Sequence, residues 1–243
     1  MSKTKLDWKK FEPLFGTWAP KIKPFFDRGG FDSIYAFLRA ETAKGKKIAP
    51  ASMHTYRCFT EVPLEELKVV IMGQDPYFKF INGSPVASGV AMDCSITASV
   101  QPTLKKFYEG LEKELYNGLN LNYIDTYDLS YLSNQGVLLL NAALTVQKDK
   151  AGSHMALWDS FITFLLKEVI GPTGVPILFL GKEPGKLSSL VQKTNPVYLL
   201  PHPAASSYTG GVWDTGTTFS RISKDVWDSN KDSILWLHID PPF

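Results

Sequence analysis

Four short runs of consecutive apolar residues constrain the fold of this 243-residue chain more than any other feature of its sequence. Each run is continuous and does not alternate with polar residues, which is typical of strands buried on both faces of a parallel sheet. The runs occupy residues 69–72, 137–140, 176–180 and 197–200. The sequence therefore predicts a central, mostly parallel sheet of four strands.

Segments with apolar residues at helical spacing lie before and between these runs. Predicted helices span residues 102–116, 157–169 and 184–192, and an earlier one ends at a stop signal, Lys44-Gly45. Thr103 is the expected N-cap of the helix at 102–116. Alternating strands and helices favour an α/β fold, with three α/β/α layers around the sheet. We expect residues 1–243 to form one domain, of which residues 1–50 are the N-terminal helical part.

Charge and cysteine content exclude several classes of protein. The chain has 26 basic and 24 acidic residues, so it lacks the strongly basic surface of a non-specific nucleic-acid-binding protein. Two cysteines, Cys58 and Cys94, are too few for a disulfide framework or a zinc site, and we expect two free core thiols. No spacing of His, Cys or Asp suggests a metal-ligand set, and no apolar stretch has the length of a membrane span.

Polar side chains follow three of the four predicted strands. Asp75 comes after the first strand, Asn141 after the second and His202 after the fourth. Ligands of open parallel sheets bind beyond the carboxyl ends of the strands. We therefore expect a carboxylate, an amide and an imidazole to converge on one crevice, where such a set could carry out catalysis.

Three segments resemble motifs of family 1 uracil-DNA glycosylases. LKVVIMGQDPY (67–77) is similar to the water-activating motif, GVLLLNAALTV (136–146) to the uracil-reading strand, and HPAASSY (202–208) to the minor-groove loop, usually HPSPLS. AGSH at 151–154 and Thr218-Phe219-Ser220 extend the similarity, which covers roughly residues 17–243. The resemblance implies a monofunctional enzyme that hydrolyses the N-glycosidic bond of uracil in DNA, without a cofactor.

The resemblance assigns the catalytic roles to Asp75 and His202. Asp75 would orient or deprotonate the attacking water and stabilise the sugar cation. His202 would donate a hydrogen bond to the base as it leaves as an anion, and a lowered pKa would keep the imidazole neutral.

The resemblance also implies a set of residues that bind the base. Asn141 would pair with N3–H and O4 of uracil, Tyr77 would exclude the methyl group of thymine, and Gln74 would line the pocket. Met92 takes the place of a phenylalanine that usually stacks on uracil, and it would cover the base less rigidly. Phe78 replaces the histidine that usually follows the tyrosine.

DNA would be held by loops, because the net charge leaves no large basic patch. Ser206 replaces the leucine that usually fills the gap left by the flipped base, and an aromatic Tyr208 is an alternative wedge. The residues expected to contact DNA are Thr103, Gly181, Lys182, Ser206, Ser207 and Tyr208.

Two alternatives to uracil excision stay open at this point. Met92 could shape the pocket for a modified pyrimidine, or the chain could be a non-catalytic DNA-binding or replication-scaffold protein. Expected partners are single- or double-stranded DNA containing uracil, together with an inhibitor or replication protein. We expect a monomer without membrane contact, located in the cytoplasm or nucleus, or in the host cell if the sequence is viral.

Overall fold

The computed structural model describes residues 6–117, 127–209, 211–229 and 231–238. The strands, numbered β1 to β8 along the chain, are Ile48–Ala49, Val69–Gly73, Phe80–Ile81, Ser84–Pro85, Val137–Asn141, Val146–Gln147, Ile177–Leu180 and Val197–Leu200. The α-helices, numbered α1 to α10, are Trp8–Phe11, Ala19–Asp27, Asp32–Ala43, Arg57–Glu61, Pro102–Leu115, Ser130–Ser133, Met155–Phe164, Lys182–Gly185, Pro203–Thr209 and Thr218–Asp228.

Shorter helical segments join these elements. A π-helix, Leu165–Ile170, continues α7 directly. Single turns of 3-10 helix cover Glu12–Leu14, Gly16–Trp18, Ser52–His54, Leu64–Glu66, Gly171–Thr173 and Lys186–Leu190.

The four predicted strands form one sheet in the order β5-β2-β7-β8. Its three strand pairs are all parallel. Helices flank the sheet, which confirms the predicted α/β class and its four-stranded central sheet. The carboxyl ends of all four strands consequently meet at one edge.

The prediction that every strand is buried on both faces is wrong for β8. Val197 and Leu199 are exposed, whereas Tyr198 between them is buried. Val197 and Leu199 point to the same face of β8, and that face is open to solvent, whereas β5 at the opposite edge of the sheet is covered on both faces. β2, β5 and β7 are buried along their whole length, as expected.

Three predicted helical features differ in detail. α5 begins at Pro102 with Gln101 at the N-cap position, so Thr103 is the second helical residue and not the cap. Proline is favoured at the first helical position because an N–H there would have no partner within the helix, so its absence from proline costs no hydrogen bond. The predicted helix at 157–169 begins at Met155 and extends to Ile170. The predicted helix at 184–192 is α8 from Lys182 followed by a 3-10 turn.

The segment expected to be a minor-groove loop is the short helix α9. Pro203 starts it, and the backbone N–H of Ala205 donates to the carbonyl of His202 at 2.8 Å. Alanine has the highest helix propensity, so Ala204-Ala205 in place of the usual Ser-Pro favours this conformation.

The N-terminal helices pack on the same core as the sheet. Phe25 and Phe31 contact Phe161 of α7, with ring centroids 5.3 and 5.2 Å apart. We infer that this part belongs to one domain with the sheet. Cys58 and Cys94 are buried free thiols, as expected. None of the helices in the described part of the chain is long and apolar enough to cross a membrane.

Candidate active site

A cavity of about 410 Å³ opens at the carboxyl edge of the sheet. The residues that line it come from the end of β2 and the segment after it, from the last residue of β5, from the turn at Met92, from the start of α5 and from the segment after β8. They are Gly73, Asp75, Pro76, Tyr77, Phe78, Lys79, Met92, Gln101, Pro102, Thr103, Asn141, His202 and Ala204. The cavity brings together the carboxylate, the amide and the imidazole that the strand pattern predicts at this edge.

The ends of β2 and β5 are fixed to each other by the parallel register. Gly73 lies opposite Asn141. Beyond the strands, the N–H of Ala142 donates to the carbonyl of Gly73, and the N–H of Ala143 donates to that of Gln74, both at 2.9 Å. The first residues of the two loops therefore have little freedom to move apart.

The side chain of Asn141 lies over Gly73. It is 8% exposed and makes no hydrogen bond to any other residue that the structure describes. A Cβ atom on Gly73 would lie 2.6 Å from Asn141 Oδ1, so only glycine leaves room for the amide there. The amide is thus largely shielded from bulk water and available to a ligand in the cavity.

Asp75 is held by two neighbours. Its Oδ2 accepts from the N–H of Gly152 at 2.5 Å, and its Oδ1 accepts from Nε2 of Gln74 at 3.4 Å. Burial raises the pKa of the carboxyl above its ordinary value of 3.8, and these two hydrogen bonds oppose that effect. The carboxylate is oriented, and its burial strengthens its interaction with a positive charge nearby.

A buried network anchors the loop that carries Gly152. Trp158 Nε1 donates to Thr145 Oγ1 at 2.7 Å, and Thr145 Oγ1 lies 2.8 Å from Nδ1 of His154. Burial lowers the pKa of His154, so its ring is neutral at pH 7. His154 and Trp158 thereby fix the segment from which the Gly152 N–H reaches Asp75.

Tyr77 and Met92 form one wall of the cavity. The Tyr77 hydroxyl donates to the carbonyl of Met92 at 3.3 Å, and burial raises the pKa of that hydroxyl well above its ordinary value. Met92 has φ of +64°, a left-handed conformation that is rare for a residue with a side chain. The wall therefore depends on an unusual turn at residue 92.

His202 is positioned by the start of α9. The N–H of Ala204 donates to its Nδ1 at 3.2 Å, so in the neutral ring the proton is on Nε2. Burial lowers the pKa of this imidazole, which keeps it neutral at pH 7. The remaining donor of the ring is thus Nε2–H, at a residue that lines the cavity.

Of the other residues implied by the resemblance, some line the cavity and others do not. Thr103 lines it, whereas Gln74 does not and instead donates to Asp75. Gly181 lies behind His202, because a Cβ on it would be 3.2 Å from that of His202. Lys182 is exposed at the start of α8.

Ser206 is turned back into its own helix. Its hydroxyl donates to the carbonyl of Pro203 at 2.7 Å, and its side chain is half-buried. The predictions for Ser207 and Tyr208 concern side chains that lie outside the part the structure describes; only their place in α9 is known.

Sequence reasoning missed several residues of the site. Lys79 and Gln101 line the cavity, and Phe78, noted in the sequence only as a lost histidine, lines it as well. Their position directly beside two recognised motifs was the available signal. The contact of Gly152 with Asp75 spans 77 positions in the chain, and no local pattern indicates it.

The described residues contain no group of three or more His, Cys, Asp or Glu side chains placed to hold a metal ion. The polar side chains around the cavity include a carboxylate, an imidazole, an amide and a phenol, those of Asp75, His202, Asn141 and Tyr77.

Comparison with known proteins gives consistent results. The model of the uracil DNA glycosylase superfamily matches residues 59–226. A uracil-DNA glycosylase of Pseudomonas aeruginosa (strain UCBPP-PA14) is 33% identical over 227 residues, covering 92% of this chain and 94% of the relative. That of Caenorhabditis elegans is 29% identical over 224 residues, covering 90% of this chain and 76% of the relative.

A solved structure shares the fold. A variant of the mimivirus UNG in complex with UGI superposes with a TM-score of 0.81 and 22% identity, covering 96% of this chain and 92% of that one. The family match spans well over half of the chain, and the relatives match it over nearly its whole length. This chain belongs to the uracil DNA glycosylase superfamily.

Proposed function

We propose that this protein excises uracil from DNA by hydrolysing the bond between N1 of the base and C1′ of deoxyribose, which leaves an abasic site for DNA repair. One observation carries the proposal: Asp75, Asn141 and His202, from the ends of three different strands, line a single cavity. Family membership and the names of the relatives support the same activity.

Asp75 serves the sugar side of the reaction. As the bond between C1′ and N1 breaks, positive charge develops on the sugar, and the buried carboxylate stabilises it. A water molecule held by Asp75 forms the new bond from oxygen to C1′ and gives a proton to the carboxylate. The hydrogen bonds from Gly152 and Gln74 fix the carboxylate for this role.

His202 serves the base side. Uracil leaves with the bonding electrons, and its negative charge is shared with O2. Nε2–H of a neutral imidazole can donate a hydrogen bond to that oxygen, which is stronger in the transition state than in the bound substrate. The lowered pKa of His202 and the N–H of Ala204 on Nδ1 support this protonation state.

Asn141 and Tyr77 select the base. The Asn141 amide offers a donor and an acceptor that match O4 and N3–H of uracil, whereas cytosine presents the reverse pattern. A mismatch would leave buried polar groups unpaired, at a cost of about 1–3 kcal/mol each. Tyr77 closes the wall of the cavity against a methyl group at C5 of the base.

The target base must leave the duplex to enter the cavity. The start of α5, with Thr103 at the cavity, and the exposed Lys79 and Lys182 supply contacts to phosphate on a surface of low net charge. Ser206 is too small to fill the gap left by the base, so Tyr208 is the candidate wedge. Binding of an inhibitor or replication protein stays a prediction; the mimivirus relative was solved in complex with UGI.

An Asn141→Asp variant is expected to release cytosine from DNA, which the wild type does not. The new carboxylate can accept a hydrogen bond from N4 of cytosine. It presents no donor to O4 of uracil, so uracil release should fall. The measurement is the rate of strand cleavage after alkali for oligonucleotides with a single cytosine or uracil. Unchanged uracil release without any cytosine release would contradict the role given to Asn141.

A Gly73→Ala variant is expected to slow uracil release roughly 10- to 100-fold, which corresponds to loss of about 1–3 kcal/mol of hydrogen bonding to the base. The added Cβ would lie 2.6 Å from Asn141 Oδ1 and would displace the amide. Gly185→Ala is a matched control, because outside its own helix the nearest atom to the added Cβ would be Leu199 Cδ2, at an ordinary contact distance of 3.8 Å. Equal rates for the two variants would show that the position of the Asn141 amide does not matter.

The proposed function is tested with a panel of oligonucleotides, single- and double-stranded, that carry uracil, thymine or 5-hydroxymethyluracil. We expect release of uracil and no release of thymine. Preferential release of 5-hydroxymethyluracil would favour the modified-pyrimidine alternative, for which the flexible Met92 is the supporting observation. Binding of DNA without release of any base would favour a non-catalytic scaffold.

A further inference from the structure

We propose that Asp93 is a positioning residue that sets the base selectivity of the cavity by holding the turn at Met92 and, through it, the hydroxyl of Tyr77. The inference rests on the proposed function and deepens it. It concerns a cluster of the buried Asp93 with the partly exposed Arg57, Glu61 and Ser95, which does not itself line the cavity.

Asp93 is almost completely buried, with 1% of its surface exposed, yet it has a full set of partners. Its Oδ1 accepts from the N–H of Ser95 at 3.1 Å and from the Ser95 hydroxyl at 2.6 Å. Its Oδ2 accepts from the N–H of Leu129 at 2.8 Å. The carboxylate therefore ties the residues just after Met92 to a segment 36 positions further along the chain.

Arg57 of α4 completes the cluster. Its Nη1 lies 3.6 Å from Asp93 Oδ1 and donates to the Ser95 hydroxyl at 2.9 Å. Its Nε lies 2.5 Å from Glu61 Oε1, so the guanidinium is held on both sides. The turn is thereby attached to a helix as well as to the segment at Leu129.

The same turn is pinned at its start. Gly89 has φ of +90°, and a Cβ on it would lie 1.7 Å from the carbonyl oxygen of His54. Residues 89 to 95 are thus held at both ends, with the left-handed Met92 between them. A residue with a side chain stays in this conformation only when its surroundings impose it, because the conformation costs of the order of 1–3 kcal/mol.

The turn is linked directly to the wall that selects the base. The carbonyl of Met92 accepts the hydrogen bond of the Tyr77 hydroxyl, and both residues line the cavity. If the Asp93 cluster were broken, Met92 could relax from its left-handed conformation, and Tyr77 would lose its hydrogen bond to the Met92 carbonyl. The wall facing C5 of the base would then be less rigid, and the cavity would admit a larger substituent at C5.

Burial of a carboxylate lowers the stability of the folded protein through loss of hydration, and pairing with a cation often does not fully offset this loss. Asp93 shares Arg57 with Glu61, whose pKa is raised chiefly by burial. Such an arrangement is a poor source of stability but an effective way to specify one conformation of a turn. This favours a positioning role for Asp93 over a purely structural one.

The test compares Asp93→Asn, Tyr77→Phe and the double variant with the wild type. Asp93→Asn keeps the shape of the side chain but turns one acceptor into a donor, which cannot satisfy both Ser95 and Leu129. The readout is the ratio of single-turnover rates for uracil and 5-bromouracil in otherwise identical oligonucleotides. We expect each single variant to lower this ratio roughly ten-fold, the scale of discrimination for one extra group in a pocket.

The double variant distinguishes a positioning role of Asp93 from a general loss of protein stability. Both changes break the same chain of contacts, so their effects on the ratio should not multiply. Tyr198→Phe is the control for loss of stability. It removes the hydrogen bond from the Tyr198 hydroxyl to Asp225 Oδ2, and neither residue lines the cavity. It should lower the melting temperature and leave the ratio unchanged.

Two results would overturn the inference in different ways. If the wild type releases uracil and Asp93→Asn lowers only the melting temperature, as Tyr198→Phe does, Asp93 is structural and the proposed function stands. If the wild type releases neither base, the proposed function fails and the inference fails with it.

Discussion

Replacement of Asp75 by Asn is expected to slow single-turnover release of uracil by roughly 10²–10⁴-fold, the range usual for loss of a general base. The variant keeps the size of the side chain, and its amide oxygen can still accept the hydrogen bond from Gly152. It loses the negative charge that stabilises the sugar cation and the basic oxygen that takes the proton from water. The rate should therefore fall while the melting temperature stays close to that of the wild type.

The pH dependence of the wild type checks the same role. Burial raises the pKa of Asp75, so the carboxylate takes up its proton at a higher pH than an exposed aspartate does. The protonated form carries no negative charge to stabilise the sugar cation, so the rate should fall as the pH is lowered through this pKa. Asp149→Asn changes an exposed aspartate three positions before Gly152 and should leave the rate unchanged. Wild-type activity in Asp75→Asn would contradict the assignment.

Replacement of His202 by Ala is expected to slow release by roughly 10²–10³-fold, the usual effect of removing one donor to a developing oxyanion. The loss should appear in the rate of bond cleavage more than in DNA affinity, because the hydrogen bond to O2 strengthens as the base leaves. The measurement is single-turnover kinetics at saturating enzyme, combined with a separate DNA-binding titration.

A second histidine provides the control. His54 does not line the cavity, and His54→Ala keeps the backbone carbonyl that Gly89 approaches. Its rate should equal that of the wild type. Equal losses in the two histidine variants, or a loss of binding without a loss of rate in His202→Ala, would refute the role of His202 at the leaving base.

The central sheet was predictable because its signal is local. The runs at 69–72 and 137–140 are apolar at every position, and such runs are favoured only where both faces of a strand are covered. Since parallel strands share one carboxyl edge, the meeting of Asp75, Asn141 and His202 followed from their places in the chain. The exposed Val197 and Leu199 escaped prediction because a run of apolar residues does not say whether both faces of the strand are covered by other elements.

The rest of the site depends on contacts between distant residues. The N–H of Gly152 on Asp75 and the N–H of Leu129 on Asp93 connect positions 77 and 36 residues apart. The sequence contains no local pattern for either. The helical state of α9 was missed for another reason: resemblance to a loop motif outweighed the helix propensity of Ala204-Ala205.

The most direct test of uracil excision by this site is product analysis after one turnover. Excess purified protein is mixed with an oligonucleotide that carries a single uracil among the four normal bases, and the released base and the DNA are identified by mass spectrometry. We expect free uracil and intact DNA with one abasic site, and neither product with Asp75→Asn on the same timescale. Unchanged DNA with the wild type, or equal release by wild type and variant, would contradict the function assigned to the cavity.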